Sequence, residues 1–295
     1  MKKGVLGMKK MITLLAVIAA CSSCANLNSK NGDTTLDRKS YSNILNIHGN
    51  PKEYTYFKPI KETDKSGTNY INSFIDLGAW HGYYQPDVKE YKLYGGFAGP
   101  FYIAEEYAVN LSNSFNKISI ENAVTKERYD LAKSEATFNY YPGKLEQKYV
   151  LKDFTLKLEL IFISNRSALI KSEIINTSGK ELNLNLNWIG NMYNEYQNWS
   201  DKENRYKSTK LNNSLEKTDT GVKVNFVNRR DTWDYLIKDG AEFKITHSSN
   251  VDTKIVGDSY TSQLDTISIS PNKNFTHYMT ETFTFTEVEA KEEIE

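Results

Sequence analysis

The side chains best suited to chemistry in this sequence lie in two short aromatic segments rich in glycine. They combine a carboxylate, an imidazole and three aromatic rings: Asp76, Trp80, His81, Tyr83 and Phe97. Aromatic rings can stack on the C–H faces of sugars, while carboxylate and imidazole groups can hydrogen-bond to sugar hydroxyls. The pattern therefore marks a candidate sugar-pocket rim or domain interface.

Three interpretations of these segments are open from the sequence. Trp80 and Phe97 could fill the interior of the fold while Asp76 accepts a hydrogen bond from a turn amide. The same residues could form a surface on which another domain docks, or they could contact a sugar directly. The surrounding glycines indicate tight backbone geometry in each case.

Other catalytic arrangements are missing from the sequence. His48, His81, His247 and His277 are isolated and lack metal-ligand spacing such as H-E-x-x-H, and no G-x-S-x-G motif is present. Two cysteines are too few for a zinc cluster. The adjacent carboxylates at 105–106 would diverge on either a strand or a helix, so we interpret them as structural. We expect no catalytic residue, no cofactor and no metal site in this chain.

The start of the chain has the layout of a signal peptide over residues 1–20. Lysines precede a short apolar stretch, Met11–Ala20, which is shorter than the roughly 20 residues that a membrane span requires. The sequence Ile18-Ala19-Ala20-Cys21 resembles a bacterial lipobox, in which the cysteine is acylated and becomes the mature N-terminus. The alternative is an ordinary cleaved signal followed by a chance cysteine.

A lipid on Cys21 would hold the protein on a membrane. Residues 21–35 are polar and small, as in a flexible tether. We therefore expect a lipid-anchored protein of the bacterial cell envelope that faces the periplasm, with the membrane as a partner through its anchor.

The composition is that of a globular protein with no electrostatic bias. The chain has 295 residues, and its 37 Lys and Arg balance 37 Asp and Glu. A formal charge of zero gives no long-range attraction to nucleic acid, so we expect no nucleic-acid partner. Aromatic residues make up 13% of the chain, which favours strands over a coiled coil.

The elements that must position the candidate residues are predicted to be strands. In the runs 155–162 and 181–188 every second residue is apolar, which places the apolar side chains on one face. Shorter runs with the same pattern are 221–227, 242–246, 266–270 and 281–286. We predict an all-β fold, a large antiparallel β-sandwich (supersandwich) with few or no long helices.

Four connecting segments carry further predictions. Pro142-Gly143 indicates a turn, and the polar segment 176–180 has the composition of a hairpin connection. Residues 103–115 fit either a short helix or two strands. The segment 191–221 is predicted to be a long loop, which is often functional. Its rings could present themselves to a glycan: Tyr193, Tyr196, Trp199 and Tyr206.

Several motifs together resemble one family of glycoside hydrolases. The string Asp76-Leu-Gly-Ala-Trp-His-Gly82, followed by Gly95-Gly-Phe-Ala-Gly-Pro100 and Arg230-Asp-Thr-Trp-Asp234, resembles the N-terminal domain of YgjK-like bacterial glucosidases, which are family 63 glycoside hydrolases and relatives. The likeness extends in order over about 41–288. We accordingly assign 36–290 to a glucosidase N-terminal β-sandwich domain.

The resemblance implies a function without implying a catalytic residue. In that family the acid and base carboxylates lie in an (α/α)6 barrel that follows the sandwich, so no position here inherits a catalytic role, and the chain alone is expected to be inactive. The expected partners are a helical catalytic barrel, on a separate chain or lost, and an α-glucosidic oligosaccharide. The alternative function is a stand-alone carbohydrate-binding lipoprotein.

Overall fold

The computed structural model describes residues 38–49, 51, 56–57, 72–104, 107–200, 205–227 and 239–293. Contacts divide the chain into two units, Met1–Ser40 and Tyr41–Glu295. The first is described only at residues 38–40, so the predicted signal peptide, the predicted tether and Cys21 lie outside the described residues. The second unit contains the strands.

Eighteen strands are described in the chain. In chain order they are β1 (Tyr56–Phe57), β2 (His81–Tyr84), β3 (Ala98–Ala104), β4 (Tyr107–Asn110), β5 (Lys117–Asn122), β6 (Glu135–Tyr141), β7 (Lys144–Val150), β8 (Phe154–Phe162), β9 (Ser167–Asn176), β10 (Leu182–Asn191), β11 (Glu195–Ser200), β12 (Arg205–Lys210), β13 (Ser214–Thr218), β14 (Gly221–Asn225), β15 (Glu242–His247), β16 (Asp252–Val256), β17 (Ser259–Ile269) and β18 (Asn274–Thr284).

These strands form two large sheets and two small ones. The largest has eight strands in the order β13-β14-β15-β18-β9-β8-β7-β6, and the second has four in the order β16-β17-β10-β5. The small sheets are β2-β3-β4 and β1-β11-β12. Among the described strands, β1 and β11 form the one parallel pairing. The all-β prediction is confirmed.

The two large sheets pack face to face, as in a sandwich. Trp188 of β10 lies with its ring centroid 4.2 Å from that of His277 on β18 and 4.9 Å from that of His247 on β15. Phe115, just before β5, packs in the same way against Phe243 of the large sheet at 6.0 Å. Contacts between rings on opposite sheets define the main core, and the sandwich prediction is confirmed.

The apolar alternation predicted both central strands and their inward faces. Leu156, Leu158 and Leu160 of β8 are at most 2% exposed, and Leu184 and Trp188 of β10 are at most 1% exposed. The register of β10 against β17 shifts between residues 184 and 186, where the buried Asn185 of β10 faces two residues of β17. Period-two patterning located the core despite this bulge.

The predicted hairpin at residues 176–180 is wrong. It connects β9 of the eight-stranded sheet to β10 of the four-stranded sheet, so it crosses between layers. The buried Asn176 side chain stabilises the crossing, since its amide donates to the carbonyls of Lys180 and Ile269 at 2.7 and 2.8 Å. Local composition identified a turn but could not identify the sheet that the next strand joins.

The predicted long loop at 191–221 is also wrong, because most of it is strand. The segments β11 and β12 pair with each other, and β13 joins the edge of the large sheet. Tyr193 is half-buried, while the side chains of Tyr196, Trp199 and Tyr206 lie outside the described part. The open segment 103–115 resolves into the end of β3 and the whole of β4.

One α-helix is described, α1 (Glu287–Glu292), directly after β18. The Thr286 side chain caps its first turn by accepting from the Glu289 amide, and the Glu289 carboxylate accepts in return from the Phe285 amide at 2.8 Å. No helix within the described ranges is long and apolar enough to cross a membrane.

Candidate functional site

The candidate residues begin in a tight loop, 74–80, that leads into β2. Asp76 accepts a 2.8 Å hydrogen bond from the Leu77 amide through its side chain and a 3.0 Å bond from the Ala79 amide through its carbonyl. Leu77 and Gly78 both have left-handed backbone conformations, with φ of 52° and 73°. Asp76 therefore stabilises the turn, in agreement with the structural interpretation of that residue.

Trp80 is at the surface and does not fill the core. Its side chain is 45% exposed, and its ring lies edge-on to Phe285 with centroids 5.4 Å apart. The Trp80 carbonyl accepts from the Ile103 amide at 2.7 Å, which fixes the backbone beside β3. The interpretation of Trp80 as an interior plug is therefore wrong, and Trp80 is available to a ligand or partner.

His81, Tyr83 and Phe97 are all 0% exposed. A pocket rim or a domain interface requires accessible side chains, so the structure does not fit that role for these three residues. Phe97 fills the core as the structural interpretation predicted. Of the five candidates, Asp76 and Trp80 are still predicted to belong to a sugar-pocket rim or a domain interface.

Strand β2 is buried on both faces, which explains this burial. Tyr83 belongs to the main core, while the next residue, Tyr84, packs with Phe101 in a second, smaller cluster. Directly before Tyr83, Gly82 leaves no room for a side chain, because a Cβ there would lie 2.5 Å from Phe101 Cζ. A strand covered on both faces shows no polar alternation, so the sequence could not reveal its burial.

Beneath this loop lies a buried acid, Glu281, that was not among the residues predicted from the sequence. Glu281 of β18 is 0% exposed, and its Oε2 accepts a 2.6 Å hydrogen bond from the Tyr83 hydroxyl. Its Oε1 has no partner at hydrogen-bond geometry, although the Asn116 amide lies close by. The signal was present in the run 281–286, since Glu281 shares the strand face of the buried Phe283.

Burial determines the protonation of this cluster. It raises the pKa of Glu281 to about 7, against the opposing influence of Tyr83 and Asn116, and it raises the pKa of Tyr83 far above its ordinary value. It also lowers the pKa of His81 to about 3, partly offset by the main chain of Glu281. Neither ring nitrogen of His81 has a partner at hydrogen-bond geometry. The imidazole is therefore neutral at physiological pH.

A second buried polar group occupies the centre of the sandwich. His247 Nδ1 and His277 Nε2 are 3.1 Å apart and share a hydrogen bond, with Trp188 packed beside both rings. Burial lowers the pKa of His247 to about 3 and that of His277 to about 4. The described residues contain no group of three or more side chains suited to hold a metal ion.

Paired carboxylates on the large sheet do not have the properties of an acid–base pair. Glu146 and Glu159 stand opposite each other on β7 and β8, and Lys144 bridges them at 3.0 and 2.8 Å. Burial alone would raise the pKa of Glu159, but the hydrogen bonds from Lys144 and Lys171 outweigh it and lower this pKa. A general acid needs a raised pKa, so this pair serves to hold strands together.

Exposed apolar side chains gather on three segments around Trp80. We call them the Trp80 face: Ile75, Leu77, Trp80, Ile163 and Val288. They lie on the loop 74–80, on the turn 163–166 and on α1. Phe74 of the loop contacts Phe162, just before the turn, at 5.7 Å. Trp80 contacts Phe285, just before α1.

Ion pairs connect the turn 163–166 to the helix. Arg166 reaches Glu289 at 3.2 Å and Glu292 at 3.3 Å, and the Ser164 hydroxyl donates to Glu293. The three segments are therefore held as one end of the sandwich, with large apolar groups directed outward. Leu77 is 56% exposed and Val288 is 63% exposed.

The fold defines a β-sandwich domain. Its candidate residues are divided between the exposed Trp80 face and the buried polar cluster around Tyr83 and Glu281. The chain belongs to the family described as glucosidase YgjK, N-terminal, whose model matches residues 46–295. The resemblance read from the sequence is confirmed. Residues 46–295 are thus a carbohydrate-related N-terminal domain.

Solved structures with a related shape are distant in sequence. One is described as a kojibiose phosphorylase from the human microbiome, with 12% identity and a TM-score of 0.44 over 75% of this chain and 31% of that one. An aldose 1-epimerase homologue from Escherichia coli K12 shows 7% identity and a TM-score of 0.43, over 73% of this chain and 99% of that one.

A third similar structure is the heparan sulfate lyase HepC from Pedobacter heparinus. It shows 10% identity and a TM-score of 0.39, over 74% of this chain and 37% of the lyase. The chain thus spans about a third of the length of the phosphorylase and of the lyase.

Proposed function

We propose that this chain is the non-catalytic N-terminal β-sandwich domain of a YgjK-like α-glucosidase. It packs on a helical catalytic barrel, which these residues do not include, and shapes the rim of the sugar pocket there. Family membership over residues 46–295 supports the domain type. The observation that carries the proposed role is the Trp80 face.

The chemistry of the Trp80 face suits a domain interface. Exposed apolar groups that cluster on one part of a surface mark contact sites, and aromatic residues are enriched at the centres of interfaces. Here Trp80 and Leu77 project from a loop that Asp76 stabilises by accepting hydrogen bonds from two backbone amides. A preorganised loop loses little entropy when a partner covers it.

The site chemistry agrees with a supporting role. Glu281 is enclosed in the core, and Glu159 is held ionised by lysines, so neither can donate a proton to a glycosidic oxygen at the surface. In the proposed enzyme the acid and base belong to the barrel. We further propose that Cys21 carries lipid and that residues 21–35 tether the domain to the periplasmic side of the cell envelope, supported by the lipobox-like Ile18-Ala19-Ala20-Cys21.

Binding to a catalytic barrel added as a separate chain tests the docking role. The full chain is mixed with the helical domain of a YgjK-type glucosidase and analysed by calorimetry and size-exclusion chromatography. We expect a complex that the double variant Leu77→Asp/Trp80→Asp abolishes. The control is Val256→Asp, which introduces one such negative charge at a residue that is 79% exposed on the edge strand β16.

Two results would contradict the proposal. One is a complex that forms equally well with the double variant, because docking would then not use the Trp80 face. The other is hydrolysis of an α-glucoside by the purified chain alone, because the chemistry would then reside within these residues.

A further inference from the structure

A cleft elsewhere on the domain has no role in the proposed docking. It is a cleft of about 310 Å³ beside the start of β5, between the 3-10 turn at residues 91–93 and the segment 128–132. We call it the Tyr91 cleft, and its chemistry-bearing side chains are Tyr91, Lys117, Ser119, Arg128, Tyr129 and Asp130. Its volume is at the lower end of the roughly 300–1,000 Å³ of small-molecule sites.

Two tyrosine rings form the aromatic part of the Tyr91 cleft. Tyr91 is 55% exposed, and its ring rests edge-on against the buried Tyr94 with centroids 5.4 Å apart. The Tyr94 hydroxyl is fixed by a 2.9 Å bond to the Val88 carbonyl. Tyr129 packs against Phe154 at 4.8 Å. The rings of Tyr91 and Tyr129 are therefore held in place while remaining accessible from the cleft.

Hydrogen-bond donors line the same space. The Lys117 ammonium is positioned by the Lys92 carbonyl at 2.5 Å, and burial lowers its pKa. Arg128 is exposed and makes no ion pair with any residue that the structure describes. The Ser119 hydroxyl adds a group that can both donate and accept.

The acceptor in the cleft is Asp130. Its Oδ1 accepts from the Ala132 amide at 3.0 Å, which fixes the carboxylate at the start of a 3-10 turn. Its Oδ2 lies 4.0 Å from the exposed ammonium of Lys133, too far for a hydrogen bond. That oxygen therefore keeps most of its capacity to accept a hydrogen bond from a ligand.

We propose that the Tyr91 cleft binds a pyranose ring of a neutral oligosaccharide. The Tyr91 ring stacks on the C–H face of the sugar, Lys117 and Arg128 donate to its hydroxyls, and Asp130 accepts from them. A phosphate ion has no C–H face to place against the Tyr91 ring, and its charge is repelled by Asp130. A purely apolar ligand would offer no hydrogen bond to the Arg128 guanidinium or to the Asp130 Oδ2. A polyhydroxylated ring satisfies both kinds of group and the aromatic surface.

This inference stands apart from the docking role, because the Tyr91 cleft and the Trp80 face share no residue. A sugar bound here would place glycan near the domain whether or not a barrel is docked. The two proposals can therefore fail independently.

Titration of the full chain with maltose and, separately, with inorganic phosphate tests the inference. Binding is followed by calorimetry and by saturation-transfer NMR. We expect maltose to bind and phosphate neither to bind nor to compete. Tyr91→Ala and Arg128→Ala should each weaken maltose binding by about tenfold or more, the equivalent of ~1.4 kcal/mol.

Two controls test whether the effect is specific. Lys133→Ala removes a neighbouring cation, and Tyr41→Ala removes an exposed tyrosine outside the cleft. Both should leave the affinity for maltose unchanged, and circular dichroism should show that every variant is folded. No maltose binding to the wild-type chain, or binding that survives both Tyr91→Ala and Arg128→Ala, would overturn the inference. Competition by phosphate would also overturn it.

Discussion

The hydroxyl of Tyr83 and the carboxylate of Glu281 meet at 2.6 Å, although 198 residues separate them in the sequence. Tyr83 belongs to the small sheet and Glu281 to the eight-stranded one, so this bond fastens one to the other inside the core. The candidate loop 74–80 leads directly into the strand that carries Tyr83. The bond therefore connects the exposed Trp80 to the core through a few residues of one strand.

Removing this hydroxyl should destabilise the domain. Tyr83→Phe keeps the ring but leaves both oxygens of the buried Glu281 without a partner at hydrogen-bond geometry. We expect a loss of about 1–3 kcal/mol in the free energy of unfolding, measured by urea denaturation. The control Tyr278→Phe, a half-buried residue on the same strand as Glu281, should change stability far less. Equal effects of the two substitutions would show that the bond contributes nothing specific.

The contribution of Glu281 to the stability of the domain should decrease from acid to neutral pH. Its pKa is about 7 in the folded protein and 4.5 ordinarily, so between these values the folded state keeps a proton that the unfolded chain has released. The stabilisation is therefore lost as the pH rises through this window, by about 3 kcal/mol in full.

The variant Glu281→Gln isolates this contribution. Urea denaturation between about pH 5 and about pH 8 should show that the stability of the wild type relative to Glu281→Gln decreases as the pH rises, since the buried histidines contribute equally to both proteins. Glu135→Gln, an exposed residue of the edge strand β6, should keep the wild-type slope. A wild-type slope in Glu281→Gln would mean that Glu281 does not titrate in this range.

Acid should destabilise the domain through the buried histidine pair. His247 and His277 have pKa values of about 3 and about 4 in the folded state against 6.5 ordinarily. Below pH 6.5 these histidines bind protons in the unfolded chain but not in the folded state. Their contribution to stability therefore falls as the pH decreases towards 3.

The slope of the acid limb provides the measurement. His277→Gln should lower stability overall but make it depend less steeply on pH between about pH 4 and about pH 6.5, because one buried imidazole fewer is protonated on unfolding. His48→Gln, a half-buried residue that contacts the Pro86 carbonyl, serves as the control and should leave the slope unchanged. An unchanged slope in His277→Gln would contradict the role of the pair.

Loss of Arg166 should loosen α1 without unfolding the domain. Its guanidinium pairs with Glu289 and Glu292, and these partly exposed ion pairs contribute at most about 1 kcal/mol together. In Arg166→Ala, hydrogen exchange should accelerate at residues 287–293 while the midpoint of urea denaturation shifts only slightly. Lys217→Ala, which breaks the exposed Lys217–Asp252 pair, should leave exchange in α1 unaffected. Exchange in α1 that stays at the wild-type rate would show that Arg166 does not hold the helix.

Period-two patterning predicted the strand content well where one face of a strand meets the core. Leu156 to Phe162 and Leu182 to Trp188 lie inward as their spacing indicates. The same reasoning did not extend to β2, because both of its faces are covered and the sequence there shows no alternation. It also placed Glu281 on an apolar face, but only the partner from β2 shows how a carboxylate is tolerated there.

The sequence by itself determined the family, the all-β class and the inward face of the central strands, because these depend on motifs and on side-chain periodicity along the chain. The tertiary structure alone decided that Trp80 faces outward while the adjacent His81 is enclosed, and that segment 176–180 crosses between sheets. It also brought Tyr91 and Arg128 to one cleft. Such relationships depend on which strands pair across long stretches of sequence, and the residue pattern within one strand does not identify the distant strand that pairs with it.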